Sequence, residues 1–159
     1  MHIQLGNRTA ETVSIYFQKA NKPEIRAVLP QKARTEKEAL ADYQKTLLPT
    51  ADSYGKIIIA DGNYIGDIWC YCMNMHAEPN AMLSFCIFEP AYWAKGIATK
   101  AVSLFLEEVR EKYALDTIGA FTFAENAGSM RVLEKNGFVV SEEFSEAGRK
   151  SNYLLYAYG

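Results

Sequence analysis

The chain has 159 residues, of which 49% are hydrophobic and 23% charged, with a net charge of −2 and a sequence pI near 5.7. A chain of this length buries about 70% of its unfolded surface, so we expect one domain over residues 1–159 and exclude a disordered chain. The near-neutral charge provides no field to gather a polyanion, which disfavours a nucleic acid as partner.

Targeting and metal-binding signals are absent from the sequence. No apolar run approaches the roughly 20 residues that span a bilayer, and the start, MHIQLGNRTA, has no cleavage site, so we expect a cytoplasmic protein without a membrane partner. Three cysteines in strand-like segments are typical of reduced core thiols (Cys70, Cys72, Cys86). With only two histidines beside them, we predict no metal site. Both a monomer and a homodimer remain open.

Two helices are predicted in the first half, after a short strand at residues 2–5. The first covers residues 9–20, and the N-K-P triplet at 21–23 ends it because proline disfavours a helical residue before it. The second begins at the capping-box pattern T-E-K-E at 35–38, in which the Thr35 hydroxyl and the Glu38 carboxylate satisfy backbone amides, and runs to about Leu47.

An antiparallel three-stranded meander is predicted over residues 56–88. The segments KIIIA at 56–60 and YIGDIWCYC at 64–72 are apolar strand patterns. Between them, Asp61-Gly62 permits the positive φ angles of a tight hairpin turn. After a loop near residues 74–79, AMLSFCIF at 81–88 is the third strand.

Helices and strands alternate in the second half. Apolar residues at helical spacing predict a long helix over 97–113 with one buried face. A strand at 117–123 follows, then a helix at about 126–136 that Gly137 ends in a left-handed conformation, then strands at 138–140 and 153–158. This order favours an α+β fold, in which helices cover a mixed sheet.

Charge at the start of the 97–113 helix is the reverse of the usual order. Lys95 and Lys100 lie there, although a helix start bears about half a positive charge and prefers acidic side chains by about 0.3–1 kcal/mol. Gly96, without a Cβ, lets backbone amides approach an anion closely. The pattern indicates a phosphate site that is neither a Walker A loop nor a dinucleotide fingerprint. The alternative is a loop glycine between two solvated lysines.

Two segments resemble a known family. PAYWAKGIATKA at 90–101 resembles the pyrophosphate-binding loop and helix of the Gcn5-related N-acetyltransferases (GNAT), and NAGSMRVLEKNGF at 126–138 resembles the N-x-x-S…E-K-x-G-F segment of the branch with ribosomal-protein and antibiotic acetyltransferases. The resemblance covers residues 56–138 well and the ends loosely. It implies a GNAT-like, mostly antiparallel twisted sheet of about six to seven strands flanked by about four helices.

The same resemblance implies a site for acetyl-CoA. Backbone amides of the 94–99 turn hold the pyrophosphate (Ala94, Lys95, Gly96, Ile97, Ala98, Thr99). Ile87 and Phe88 lend backbone groups to the pantetheine arm, and the Phe88 amide faces the thioester oxygen. Asn126 binds the arm, and Ser129 protonates the departing thiolate. The thioester then lies between the strands at 81–88 and 117–123.

Several departures from the family pattern bear on catalysis. Leu133 stands where many members have a general-acid tyrosine, so the acid is Ser129 or absent, and Ser129 could instead cap its helix. Trp93 replaces the usual glutamine or arginine of the loop. Phe121 stands where some relatives carry a glutamate, which leaves the general base open between water and four other carboxylates (Glu89, Glu125, Glu142, Glu143).

The activity implied is transfer of an acetyl group to a primary amine by direct attack in a ternary complex. The acceptor is a protein N-terminus or a small molecule such as a polyamine, an amino acid or an aminoglycoside. The alternative is a non-catalytic acyl-CoA-binding or regulatory module. Four aromatic side chains either line an acceptor pocket or belong to the core (Trp69, Tyr71, Phe85, Tyr92).

Overall fold

The structure, a computed structural model, describes residues 1–27, 29, 33, 35–146 and 148–159. Over these residues the elements in chain order are β1 (Ile3–Asn7), α1 (Ala10–Ala20), α2 (Pro23–Arg26), α3 (Glu36–Thr46), β2 (Tyr54–Ala60), β3 (Asn63–Asn74), β4 (Asn80–Ile87), a 3₁₀ turn (Pro90–Tyr92), α4 (Ile97–Lys112), β5 (Thr117–Phe123), α5 (Ala127–Lys135), β6 (Val139–Glu146) and β7 (Arg149–Ala157). The seven strands described form one sheet in the order β1-β2-β3-β4-β5-β7-β6, and five α-helices accompany it. The predicted α+β fold is confirmed.

Side-chain caps begin the helices of the first half. The Thr9 hydroxyl accepts the Thr12 amide at 3.1 Å, and the Thr35 hydroxyl accepts the Glu38 amide at 3.1 Å, which confirms the predicted start of α3. The sequence did not predict α2. Pro23 ends α1, as expected, but it also begins α2, because a proline at the first helical position needs no amide partner and has a suitable φ.

Tight turns and a bulge shape the antiparallel half of the sheet. Asp61 and Gly62 have φ angles of 46° and 83°, which confirms the hairpin between β2 and β3. The ladder between β3 and β4 shifts register between Tyr71 and Asn74, where Cys72 has a φ of 51° and an exposed side chain. Cys70 and Cys86 are buried thiols as expected, but the expectation for Cys72 was wrong because the bulge turns it outward.

The sheet opens where its two halves meet. Strands β4 and β5 are parallel neighbours, but they pair only from Asn80 to Met82 on one strand and from Thr117 to Gly119 on the other. Beyond these three pairs β4 continues to Ile87 and β5 to Phe123 without pairing. We call the gap between these unpaired ends the cleft.

Helices cover both faces of the sheet. The buried side of α4, which includes Val102, Phe105 and Val109, packs on the face that Ile68 and Leu83 present. On the opposite face, α1 and α2 enclose a second cluster built from Ala20, Ile25, Cys86 and Phe88. The cleft therefore opens to the α4 and α5 side and to the α1 and α2 side. No helix in the described ranges is long and apolar enough to span a membrane.

The last hairpin is longer than predicted. Phe138 to Val140 and residues 153–158 were expected as strands, whereas β6 and β7 pair from Val139–Leu155 to Glu146–Arg149. The added residues are almost all charged or polar, so their composition gave little strand signal. Gly137 ends α5 with a φ of 94°, as the sequence predicted.

Candidate functional site

A cavity of about 630 Å³ fills the cleft. Its walls come from the unpaired ends of β4 and β5, from residues 92–99 and from the exposed side of α5. Ile25 and Leu29 line its far end, on the α1 and α2 side of the sheet. The cavity thus passes through the sheet, so that two molecules entering from opposite faces would meet between β4 and β5.

The 94–99 turn presents a row of unused backbone amides. Ala94 and Gly96 have φ angles of 58° and 77°, and Gly96 is the N-cap of α4 with no side-chain cap. Over the described ranges, none of the six amides from Ala94 to Thr99 donates a hydrogen bond. The first helical bond here is from Lys100 to the carbonyl of Gly96, at 3.2 Å. Consecutive free amides at a helix start form a site for an anion.

Three cationic side chains line the same side of the cavity: Lys95, Arg131 and Lys135. Arg131 and Lys135 are one helical turn apart on α5, so they extend along one face of that helix. Within the part of the chain that is described, none of the three forms an ion pair. Sequence patterns did not single out Arg131 or Lys135 as binding residues, apart from their spacing of four residues.

The start of α5 brings Asn126 and Ser129 to the cavity wall. The Asn126 side-chain oxygen accepts the Ser129 amide at 3.1 Å, so Asn126 is the helix cap and keeps its amide nitrogen for a ligand. The Ser129 hydroxyl has no partner among the described residues. The alternative that Ser129 caps the helix therefore does not hold here.

Backbone direction along β4 decides which amides face the cleft. The Phe88 amide donates to the carbonyl of Ile65 at 3.0 Å, so it points toward β3. Because the ladder alternates, the amides of Ile87 and Phe85 point the other way, into the cleft. The carbonyl of Ile87 accepts the Trp93 indole N–H at 2.8 Å, which ties the loop to the end of β4. In this structure the Phe88 amide is engaged within the sheet.

Asn136 holds the two helices of the cavity wall together. Its side-chain nitrogen donates to the carbonyl of Thr99 at 3.2 Å and to that of Val132 at 2.9 Å. The end of α5 is thereby fixed to the first turn of α4. The sequence did not single out Asn136 because its role depends on a contact across 37 residues.

No carboxylate lines the cavity in the described ranges. Glu89 pairs with Lys19 at 3.0 Å, and Glu125 pairs with Arg149. Glu142 and Glu143 are exposed on β6. The four candidate bases of the sequence are therefore engaged or lie outside the cavity walls.

Aromatic residues predicted at the acceptor end divide into two groups. Tyr71, Phe85 and Tyr92 line the cavity, whereas Trp69 packs its edge against Tyr16 at 5.9 Å between ring centroids. Burial raises the pKa of Tyr71, and it raises the pKa of the lining thiol of Cys86 to about 12. Both groups therefore stay neutral near pH 7.

The fold and the cavity can be compared with those of known proteins. A 30% identical relative, the probable N-acetyltransferase YjcK of Bacillus subtilis, matches over 104 residues, which are 65% of this chain and 57% of that protein's length. The ribosomal-protein-S5-alanine acetyltransferase from Vibrio fischeri has a TM-score of 0.84 at 16% identity, with 99% of this chain and 93% of that chain covered.

A second solved structure is that of an aminoglycoside acetyltransferase. The aminoglycoside acetyltransferase AAC(6')-Ib in complex with coenzyme A has a TM-score of 0.81 at 16% identity, with coverages of 98% and 95%. At such identities the two likenesses show a shared fold. The family model described as an acetyltransferase (GNAT) domain matches residues 8–139. Since this match spans most of the chain, the protein belongs to the acetyltransferase (GNAT) domain family.

Proposed function

We propose that the protein is an N-acetyltransferase that uses acetyl-CoA to acetylate a primary amine. The row of free amides in the 94–99 turn, beside the cleft, is the observation that carries this proposal. Family membership supports it, as does coenzyme A in the structure of the aminoglycoside relative.

The cavity suits a nucleotide thioester on its α4 and α5 side. The six amides would bind the diphosphate, and the cations Lys95, Arg131 and Lys135 would neutralise its charge. The reversed charge order at the start of α4 then has a reason, since an anion bound there makes Lys95 and Lys100 favourable. The free side-chain nitrogen of Asn126 would donate to the amide carbonyls of the pantetheine arm.

Acetyl-CoA supplies an acetyl group held as a thioester, which a neutral amine attacks directly while the free thiol leaves. The sequence predicted that the Phe88 amide would donate a hydrogen bond to the thioester oxygen. In this proposal the Ile87 amide, which faces the cleft, is the donor instead. A backbone amide aimed at a developing oxyanion contributes about 10²–10³ in rate. The Ser129 hydroxyl, free of other partners in the described structure, would give its proton to the thiolate and regain one from the attacking nitrogen, which must lose a proton to become an amide.

The proton of the acceptor ammonium would leave through water. No carboxylate of the described residues lines the cavity, and Cys86 stays protonated and cannot accept a proton because burial raises its pKa to about 12. The lining residue Phe121 is 56% exposed, so the cavity opens to solvent and water can reach the amine.

A non-catalytic acyl-CoA-binding module is the second candidate. It is favoured by Leu133 at the usual tyrosine position and by the lack of a lining base among the residues described. Calorimetry with coenzyme A and a thiol-release assay with a panel of amines separate the two. We expect binding and release; binding without release on any amine would favour the module, and no binding would refute both.

A further inference from the structure

We infer that the acceptor is an amine with a single positive charge on an apolar or aromatic body, and that polycationic acceptors are disfavoured. The inference rests on the proposed function, because it concerns the end of the cavity that faces α2, opposite the proposed coenzyme site. We call that end the acceptor pocket. The residues that line it are mostly apolar or aromatic: Ile25, Leu29, Tyr71, Phe121, Phe123 and Phe144.

Aromatic side chains give the pocket one continuous wall on the β5 side. The Phe121 ring packs against Phe144 edge to face, with centroids 5.8 Å apart, and against Tyr153 at 5.0 Å. Phe121 is nevertheless 56% exposed, so its free face is available to a ligand. Such a wall binds a flat or apolar body through buried area and ring contacts.

Three carboxylates near the pocket, Asp67, Glu89 and Glu125, are already paired with cations. Asp67 is buried and bound by Arg8 at 3.0 Å and by the Tyr64 hydroxyl at 2.5 Å. The other two, Glu89 and Glu125, pair with Lys19 and Arg149. Glu142 shares a face of β6 with Phe144, but it is exposed and lies outside the lining. An acceptor with several ammonium groups would find no free anion among the described lining residues.

Positive charge also surrounds the cavity. Its charged lining residues, as far as the chain is described, are the cations Lys95, Arg131 and Lys135. At the pocket edge the Arg149 guanidinium lies 3.5 Å from the centroid of the Phe123 ring and donates to the carbonyl of Ala27 at 3.3 Å.

Charge and desolvation together set the preference. The reacting amine must be neutral when it attacks, so one ammonium need not stay charged in the pocket. Each further ammonium would lose water without gaining an anion. The neutral hydroxyl of Ser84 and the neutral phenol of Tyr71 can hydrogen-bond one amine.

Competition among defined amines tests the inference. Phenethylamine and the dipeptide amide Ala-Phe-NH₂ represent the two sources of a single amine on an aromatic body, a small molecule and a peptide N-terminus. Spermidine and kanamycin represent polycations. We expect kcat/KM with one or both aromatic amines to exceed that with either polycation by at least about tenfold. Equal or better use of a polycation overturns the inference.

A pair of variants at Phe121 makes the charge argument specific. Phe121→Glu introduces a free carboxylate at an exposed ring position, and Phe121→Gln is its neutral match in size. Relative to Phe121→Gln, Phe121→Glu should raise the spermidine to phenethylamine ratio of kcat/KM by about tenfold. An unchanged ratio would overturn the inference, and equal melting temperatures of the two variants would show that both are folded.

Failure of the proposed function can be told apart from failure of the acceptor-pocket inference. If coenzyme A does not bind in calorimetry, the proposed function fails. If it binds but no amine is acetylated, calorimetry of the same four amines on the coenzyme A complex provides the comparison. Tighter binding of an aromatic amine than of both polycations supports the pocket assignment, and any other order overturns it.

Discussion

Replacement of Gly96 by glutamate, with Gly62→Glu as the matched control, isolates the role of the 94–99 turn. The two glycines have φ angles of 77° and 83°, and a Cβ added to either meets no atom within 4 Å. Backbone strain should therefore be the same in both variants, about 1–2 kcal/mol. Gly96 lines the cavity and Gly62 does not.

The expected effects on stability and on binding differ. Both variants should lose about 2–4 °C in Tm for each kcal/mol of strain. Only Gly96→Glu places a carboxylate beside the proposed diphosphate, where like charges cost several kcal/mol. We expect its coenzyme A affinity to fall by about 100-fold or more, equivalent to about 2.7 kcal/mol, while Gly62→Glu retains the parent affinity.

Isothermal titration calorimetry with coenzyme A, at matched ionic strength, measures the difference. Gly96→Ala adds the strain without the charge, so it should fall between the parent and Gly96→Glu. If Gly96→Glu and Gly62→Glu both bound coenzyme A as tightly as the parent protein, the diphosphate would not lie on this turn. If both lost affinity equally, strain rather than local charge would explain the loss.

Three further changes test other parts of the site. Ser129→Ala should lower kcat by about tenfold or more while KM changes little, and a fall in both at unchanged kcat/KM would remove its acid role. Replacing Arg131 and Lys135 together by glutamine should raise the Kd for coenzyme A by about threefold or more at low salt. The Kd should also depend less on salt concentration between 50 and 300 mM. If the salt dependence of the Kd did not change, the two side chains would not face the phosphates. In Gly66→Ala the new Cβ would lie 2.2 Å from the carbonyl oxygen of Cys86, where only backbone can give way, so thermal unfolding should show a loss of about 1–3 kcal/mol, and an unchanged Tm would contradict the close approach of β3 and β4.

Local signals predicted much of the fold. The Thr35 hydroxyl, the Asp61-Gly62 pair and Gly137 each determine conformation within a few residues, and the structure has all three features in the predicted places. Where composition was ambiguous the boundaries were less accurate. Glu142 and its charged neighbours form a strand because they pair with β7, which a local pattern cannot show.

The turn of the candidate site could be predicted from a local pattern, whereas the cleft beside it was expected only from the family resemblance. Charge reversal at Lys95 and Lys100 and the missing Cβ of Gly96 are properties of one short segment. By contrast, the cleft exists because β4 and β5 separate after Met82 and Gly119, which depends on packing between distant segments. The same holds for the Trp93 bond to the carbonyl of Ile87.

The sequence also could not show which backbone amides of β4 point into the cleft. The resemblance placed the oxyanion donor at Phe88, one residue from the amide that faces the cleft here. The direction of the backbone amides alternates from one residue of a strand to the next. The oxyanion donor therefore cannot be assigned without the hydrogen bond from the Phe88 amide to the Ile65 carbonyl. In the same way, no local pattern showed that the Asn126 side chain, and not that of Ser129, caps α5.

Titration of the ¹⁵N-labelled protein with coenzyme A, followed by amide NMR shifts, tests the central claim most directly. We predict saturable shifts at the amides of residues 94–99, with the largest changes at Gly96 and Ile97, and the same Kd from calorimetry. Shifts confined to other parts of the sheet, with the 94–99 amides unchanged at saturation, would contradict the assignment of this turn as the diphosphate site.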